Sequence, residues 1–244
     1  NRKCDIVNYA DDTNIIMSRG SFTELLEDAD NILSETNKWF TKNKQILNKD
    51  KTGVVLFKTT HAQYETIQNI NFTMSPINST HSTKFLGIYI DTVLNFKDHV
   101  QHVVMRLNNV IYSMRIIAQY IKRDALKIVY HANFESVFRY GIIFYGSSSD
   151  AERIFIIQKR VLRIILKMKS RESCRGKFKE NKILTFTAVY IQEILLFFLK
   201  NRHLFTKMSS QHNHQTRTED YSYPIHRLTV TEKGAFYNCI KMYN

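Results

Sequence analysis

From Val100 to Ile117 the apolar residues Val100, Val103, Val104, Leu107, Val110, Ile111, Met114 and Ile117 recur every three or four positions, the spacing that lines one face of an α-helix. A strand would scatter them over both faces. The middle of the chain is therefore a helix, over about residues 96–120, and its stripe needs other helices to cover it. Similar stripes predict helices over about residues 22–43, 123–138, 150–168 and 187–205. Two of them open on the capping-box pattern, at Ser21-Phe22-Thr23-Glu24 and Ser149-Asp150-Ala151-Glu152. The third and fourth of these helices bury, on this reading, Ile154, Ile157, Val161, Ile164 and Ile165, and Tyr190, Ile191, Ile194, Leu195, Phe198 and Leu199. With 7 Gly and 2 Pro in 244 residues, few tight turns interrupt such elements.

The N-terminal part reads differently. Two short apolar runs, at 4–7 and 15–17, flank Tyr9-Ala10-Asp11-Asp12, which predicts a β-hairpin with two carboxylates at its tip. Such a pair suits a turn in which Asp caps its own backbone, and it equally suits Mg²⁺, which takes hard oxygen ligands together with waters and substrate phosphates. Val54-Val55-Leu56-Phe57 reads as a buried strand, and residues 85–90 as another in which Gly87 marks a bulge or a close backbone approach. The fold class is thus α+β, with hairpins and a helix first and a mainly helical remainder.

Charge narrows the partners. The net charge is +13 and the pI about 9.6, which favours a polyanion, nucleic acid before a membrane surface. Between Arg153 and Lys182 stand eleven Lys and Arg against Glu172 and Glu180. That concentration predicts a cationic face that tracks phosphates without reading bases, with Lys159, Arg160, Arg163, Lys167, Lys169 and Arg171 as the contacts. Cys4, Cys174 and Cys239 are too scattered for a disulfide framework or a zinc cluster, which suits a reducing compartment. The apolar run 194–199 is too short to span a bilayer and no signal-like segment is present. An intracellular protein of the nucleus or cytoplasm is expected, with no membrane partner. Residues 207–223 are polar and read as a loop; His212-Asn213-His214 lacks the surroundings of a nuclease site, and His203 and His226 complete no metal set.

Several stretches, in order, resemble the reverse transcriptases of non-LTR (LINE-type) retrotransposons. Tyr9-Ala10-Asp11-Asp12 is similar to the Tyr-x-Asp-Asp box of the palm. Trp39-Phe40, Asn43-Lys44, Leu47-Asn48, Lys51-Thr52 and Phe57 resemble the segment after the catalytic hairpin, and Lys84-Phe85-Leu86-Gly87-Ile88-Tyr89-Ile90-Asp91 resembles the primer grip. Leu94-Asn95-Phe96, Tyr140-Gly141-Ile142 and Gln158-Lys159-Arg160 resemble the thumb and the region after it, and the stretch 224–244 the C-terminal part of these proteins.

The resemblance implies a truncated palm over residues 1–92, a helical thumb over 93–170, and a basic linker, helix and tail over 171–244. It implies an RNA-directed DNA polymerase using two metal ions, Mg²⁺ with Mn²⁺ as a substitute, on an RNA template, a DNA primer and deoxynucleoside triphosphates. Asp11 would bind metal and Asp12 support the site. Tyr9 would pack near the primer end and the incoming nucleotide, Phe85, Leu86 and Gly87 would grip the primer, and Lys51 would help the leaving group, with Lys49 close enough to compete. The family's other catalytic Asp and its fingers precede the box, and this sequence starts with Asn1, so a processed product or fragment, inactive alone, is expected. Two other readings fit the same residues: a non-catalytic basic nucleic-acid-binding module and a decayed retroelement remnant.

Overall fold

The computed structural model describes residues 4–59, 69–72, 75–207 and 220–244. The chain forms two compact units, residues 1–83 and 84–244.

In the first unit, β1 (Asp5–Tyr9) and β2 (Asp12–Ile16) pair antiparallel, with Tyr9 opposite Asp12 and Asp5 opposite Ile16. Helix α1 (Phe22–Lys42) follows, and the Ser21 side chain accepts the Glu24 N–H at 3.2 Å, as the capping pattern predicts. Its apolar face meets a thin core, where Ala29 packs with Met17, Leu26, Leu33 and Val54. A second antiparallel pair joins β3 (Asn69–Phe72) to β4 (Ser75–Asn78). The expected strand at 54–57 is absent: only Val54 forms a bridge, parallel to Ser79, and Phe57 is exposed. A β-branched run needs a neighbouring ladder to become a strand, and none of the described residues supplies one beyond that bridge.

The second unit holds the main core. A third strand pair, β5 (Ser82–Phe85) and β6 (Ile88–Asp91), begins at the boundary and turns through Leu86 and Gly87. Helix α2 (Lys97–Ile117) then buries Val100, Val103, Val104, Leu107, Ile111 and Met114, the stripe read from the sequence. The next helix runs on from α3 (Arg123–Val129) through a π-helical segment (Tyr130–Glu135) into α4 (Ser136–Arg139), and α5 (Ile142–Tyr145) follows. Helix α6 (Glu152–Ile165) packs on α2, and α8 (Phe186–Lys200) on α6. Between them lies the short α7 (Lys177–Glu180).

The C-terminal stretch forms α9 (Thr229–Glu232) and α10 (Ala235–Tyr243), and α10 packs on α8. Cys239 and Ile240 are buried there, and the Phe198 ring sits 4.4–4.9 Å from Phe205, Tyr221 and Tyr243. Residues 84–92, read above with the first domain, and 171–244, read as a third, contribute to one unit with the helices between them.

Three local expectations are corrected. The residues Ser149–Ala151 wind into a 3₁₀ turn, so α6 starts after Ala151 with no side-chain cap and the second capping box does not form. Helix α6 stops at Ile165, three residues short of Met168, because Lys167 turns left-handed at φ 54°. On α8, Ile191 and Leu199 are exposed although the periodicity placed them in the core: the helix carries more apolar residues than its packing on α5, α6 and α10 covers. Residues 208–219, including His212-Asn213-His214, lie outside the described residues.

Candidate nucleic-acid and metal sites

A two-residue turn, Ala10-Asp11, closes the first hairpin. Ala10 adopts φ 52°, the left-handed value that primed hairpin turns need at their first position, and it is a small residue in a place more often given to Gly or Asn. Asp11 therefore sits in the turn and Asp12 is the first residue of β2, both exposed. Tyr9 is 61% exposed, so its ring is available to a ligand at the hairpin tip. Among the described residues no group of three or more His, Cys, Asp and Glu gathers at a spacing suited to a metal ion. Lys51 ends a 3₁₀ turn (Lys49–Lys51), exposed, with its N–H on the Asn48 side chain at 3.3 Å.

At the second predicted site, Leu86 and Gly87 have φ 46° and 85°, the pair of left-handed residues of a type I′ turn. The Tyr140 hydroxyl donates to the Leu86 carbonyl, and a Cβ on Gly87 would meet the Tyr140 ring at 3.4 Å. Gly141, next to Tyr140, lies close against Ile88: a Cβ there would stand 2.6 Å from Ile88 Cδ1. The close backbone approach read at Gly87 is thus filled from within the chain by Tyr140, while Leu86 remains exposed and Phe85 half-buried.

Behind this hairpin, His99 on α2 is buried; its Nδ1 accepts the Tyr89 N–H at 3.4 Å and its ring meets Tyr145 edge-on at 4.7 Å. Burial, helped by neighbouring His102, holds its pKa down at about 4. Unfolded, the imidazole returns to about 6.5, so the unfolded chain binds the extra proton first as pH falls. The contribution of neutral His99 is full above pH 6.5 and is lost between 6.5 and about 4. Urea titrations across that window should show a decline in stability of up to about 3 kcal/mol that His99→Asn removes.

Three of the six predicted phosphate contacts, Lys159, Arg163 and Lys167, line two separate depressions. Lys159 and Arg163 stand on α6 beside an open groove of about 520 Å³, which Arg175 and Lys179 also line. Lys167 lies past the helix end and lines a smaller depression of about 230 Å³ with Lys122 and Arg123. Arg160 and Arg171 are exposed, and Lys169 gives its backbone N–H to the Glu172 carboxylate at 3.1 Å. Sequence reading noted Arg175 and Lys179 only as part of the charge run. The available signal was their position around Gly176, whose φ of 75° turns the chain back toward α6.

Of the buried polar groups, Asp91 and Gln158 make the densest sets of hydrogen bonds, and the apolar stripes read from the sequence include neither. Asp91 is 1% exposed and accepts the N–H groups of Val93, Asn95 and Phe96 at 3.1, 3.1 and 2.6 Å. Gln158 is fully buried on α6 and joins Tyr130, Leu184 and Phe186. Among the described residues no helix is long and apolar enough to cross a membrane. Comparison with models of protein families, with curated proteins and with solved structures gave no match to this chain.

Proposed function

We propose that the chain is part of an RNA-directed DNA polymerase of the non-LTR retrotransposon type, carrying one end of the palm and the helical thumb and post-thumb regions. The observation that carries this reading is the Asp11-Asp12 pair at the tip of a two-residue hairpin, followed in order by the stretches that resemble the palm helix, primer grip and thumb. Hard, exposed carboxylate oxygens suit Mg²⁺, and Mn²⁺ in its place. Bound there, the metal would supply Lewis-acid activation of a primer 3′-hydroxyl and charge neutralisation at the triphosphate.

The chain's own residues then have distinct tasks. Asp11 supplies a ligand and Asp12 supports it, Tyr9 borders the nucleotide, and Lys51 offers a proton or a charge to the departing pyrophosphate. Phe85, Leu86 and Gly87 position the primer, and the basic residues of α6 and the following loop hold template or primer phosphates. Ile6, Val7 and Ile16 are exposed on the first hairpin, apolar surface that a larger palm sheet would cover.

Two adjacent carboxylates are fewer than a two-metal centre takes, so this reading requires a further acidic ligand. Primer extension on an RNA template with Mg²⁺ tests it, on the 244-residue chain and on a version extended at its N-terminus by its own coding sequence. The short chain should bind primer–template without robust synthesis. The longer one should synthesise DNA, and Asp11→Ala should lower that at least about 10³-fold, as losing a charge-stabilising group in a preorganised site does. Robust, Asp11-dependent synthesis by the short chain would remove the need for a further ligand. Binding with no synthesis by either would replace the polymerase by a non-catalytic binding module.

A further inference from the structure

The groove between α6 and the loop that leads into α7 is lined by four cations, and the carboxylates nearby are engaged elsewhere. Lys159 and Arg163 come from one side, Arg175 and Lys179 from the other. Among the described residues none of the four has a carboxylate partner. Lys159 Nζ lies 4.6 Å over the Phe155 ring, and Arg163 Nε donates to the backbone carbonyl of Glu172 at 2.9 Å, which fixes the guanidinium without neutralising it. Two acids stand nearby: Glu172, in the loop itself, accepts the Lys169 N–H at 3.1 Å, and Glu180 on α7 meets Lys177 Nζ at 3.0 Å. Cys174 closes the floor, its thiol directed to the Lys159 carbonyl at 3.7 Å.

Four like charges around one concavity repel one another, and an anion that bridges them relieves that repulsion. A single phosphate fills only part of about 520 Å³, so the groove has room for the sugar or base beside it, with Phe155 as an apolar flank.

We propose that this groove is a dedicated site for a backbone phosphate of a nucleic acid strand, with Arg175 and Lys179 completing the clamp begun by Lys159 and Arg163. It rests on the nucleic-acid reading above and adds to it a location. Charge density along the run would spread binding over all its residues; the groove concentrates it in four.

The experiment uses the full chain and a labelled oligonucleotide over a salt series. Arg175→Gln combined with Lys179→Gln, both at exposed positions, should weaken binding about tenfold or more and lower the slope of log K against log salt by up to about 1, the share of the one phosphate they clamp. Lys200→Gln combined with Lys241→Gln, exposed on α8 and α10 and outside the groove, should change the affinity by no more than about threefold. Bound oligonucleotide should also slow alkylation of Cys174, read by peptide mass spectrometry, with the partly exposed Cys4, outside the groove, as the reference. Equal losses from the two double variants, or no protection of Cys174, would sink the groove while leaving nucleic-acid binding in place. No binding of any oligonucleotide would sink the reading beneath it. Protection by pyrophosphate or a deoxynucleoside triphosphate at lower concentration than by the oligonucleotide would make the ligand a free phosphate compound and overturn the backbone assignment.

Discussion

Asp91→Ala should lower the stability of the helical unit by about 3 kcal/mol. The carboxylate is 1% exposed and is the acceptor for three consecutive-loop N–H groups, those of Val93, Asn95 and Phe96. These bonds hold an otherwise costly path, because Leu94 and Phe96 both take left-handed φ values, 56° and 57°, which bulky side chains avoid. Phe96 is also the N-cap residue of α2 and offers no side-chain cap; Asn95 Oδ1 accepts the N–H of Lys97, the first helical residue, at 2.8 Å, and Asp91 holds the loop that places Asn95 there. Alanine leaves those donors to whatever water can enter and releases the strained loop. Asp91→Asn keeps the shape and one good acceptor but turns an amide N–H₂ toward donors, so it should cost less, about 2 kcal/mol. Urea denaturation followed by far-UV circular dichroism measures both, and amide exchange should show the loss first at the start of α2. Equal stability of Asp91→Ala and the parent chain would mean that the loop does not depend on these bonds.

What could be read in advance was what depends on near neighbours in sequence. The stripe on α2 was legible because residues three and four apart must share a face wherever the helix is placed. The hairpin at Asp11-Asp12 was legible for the same reason, since its turn closes within four residues. The strand expected at 54–57 failed because a strand exists only with a partner, and that information is not local. The basic run shows the same limit. Its density is plain in the sequence, but left-handed turns at Lys167 and Gly176 decide which of its charges face one groove. Asp91 stood inside the stretch that resembles a primer grip, and its work in the fold is to cap the loop that follows.

Gln158→Leu should be the most damaging single change in α6, at about 4 kcal/mol. The side chain is similar in size, so little cavity is expected, and the cost comes from partners left unpaired. Gln158 Nε2 donates to the Tyr130 hydroxyl at 2.7 Å and to the Leu184 carbonyl at 2.8 Å, while its Oε1 accepts the Phe186 N–H at 2.7 Å. Phe186 opens α8, where Thr185 caps Ala188 at 3.2 Å and Gln158 satisfies an N–H that the helix itself cannot. One amide thus ties α6 to the π-helical segment and to the entrance of α8. A sign was present in the sequence: Gln158 is four residues from both Ile154 and Leu162 and so falls within the buried stripe, where a polar residue needs partners. Tyr130→Phe removes one of the three bonds and should cost about 1 kcal/mol. Starting from Gln158→Leu, the same Tyr130→Phe change should cost almost nothing or even restore stability, because the hydroxyl has already lost its donor. The double-mutant cycle, followed by near-UV circular dichroism of the buried tyrosines, measures that coupling. Additive losses would show that the Tyr130 and Gln158 side chains stabilise the unit separately, and the network would then reduce to the cap on α8.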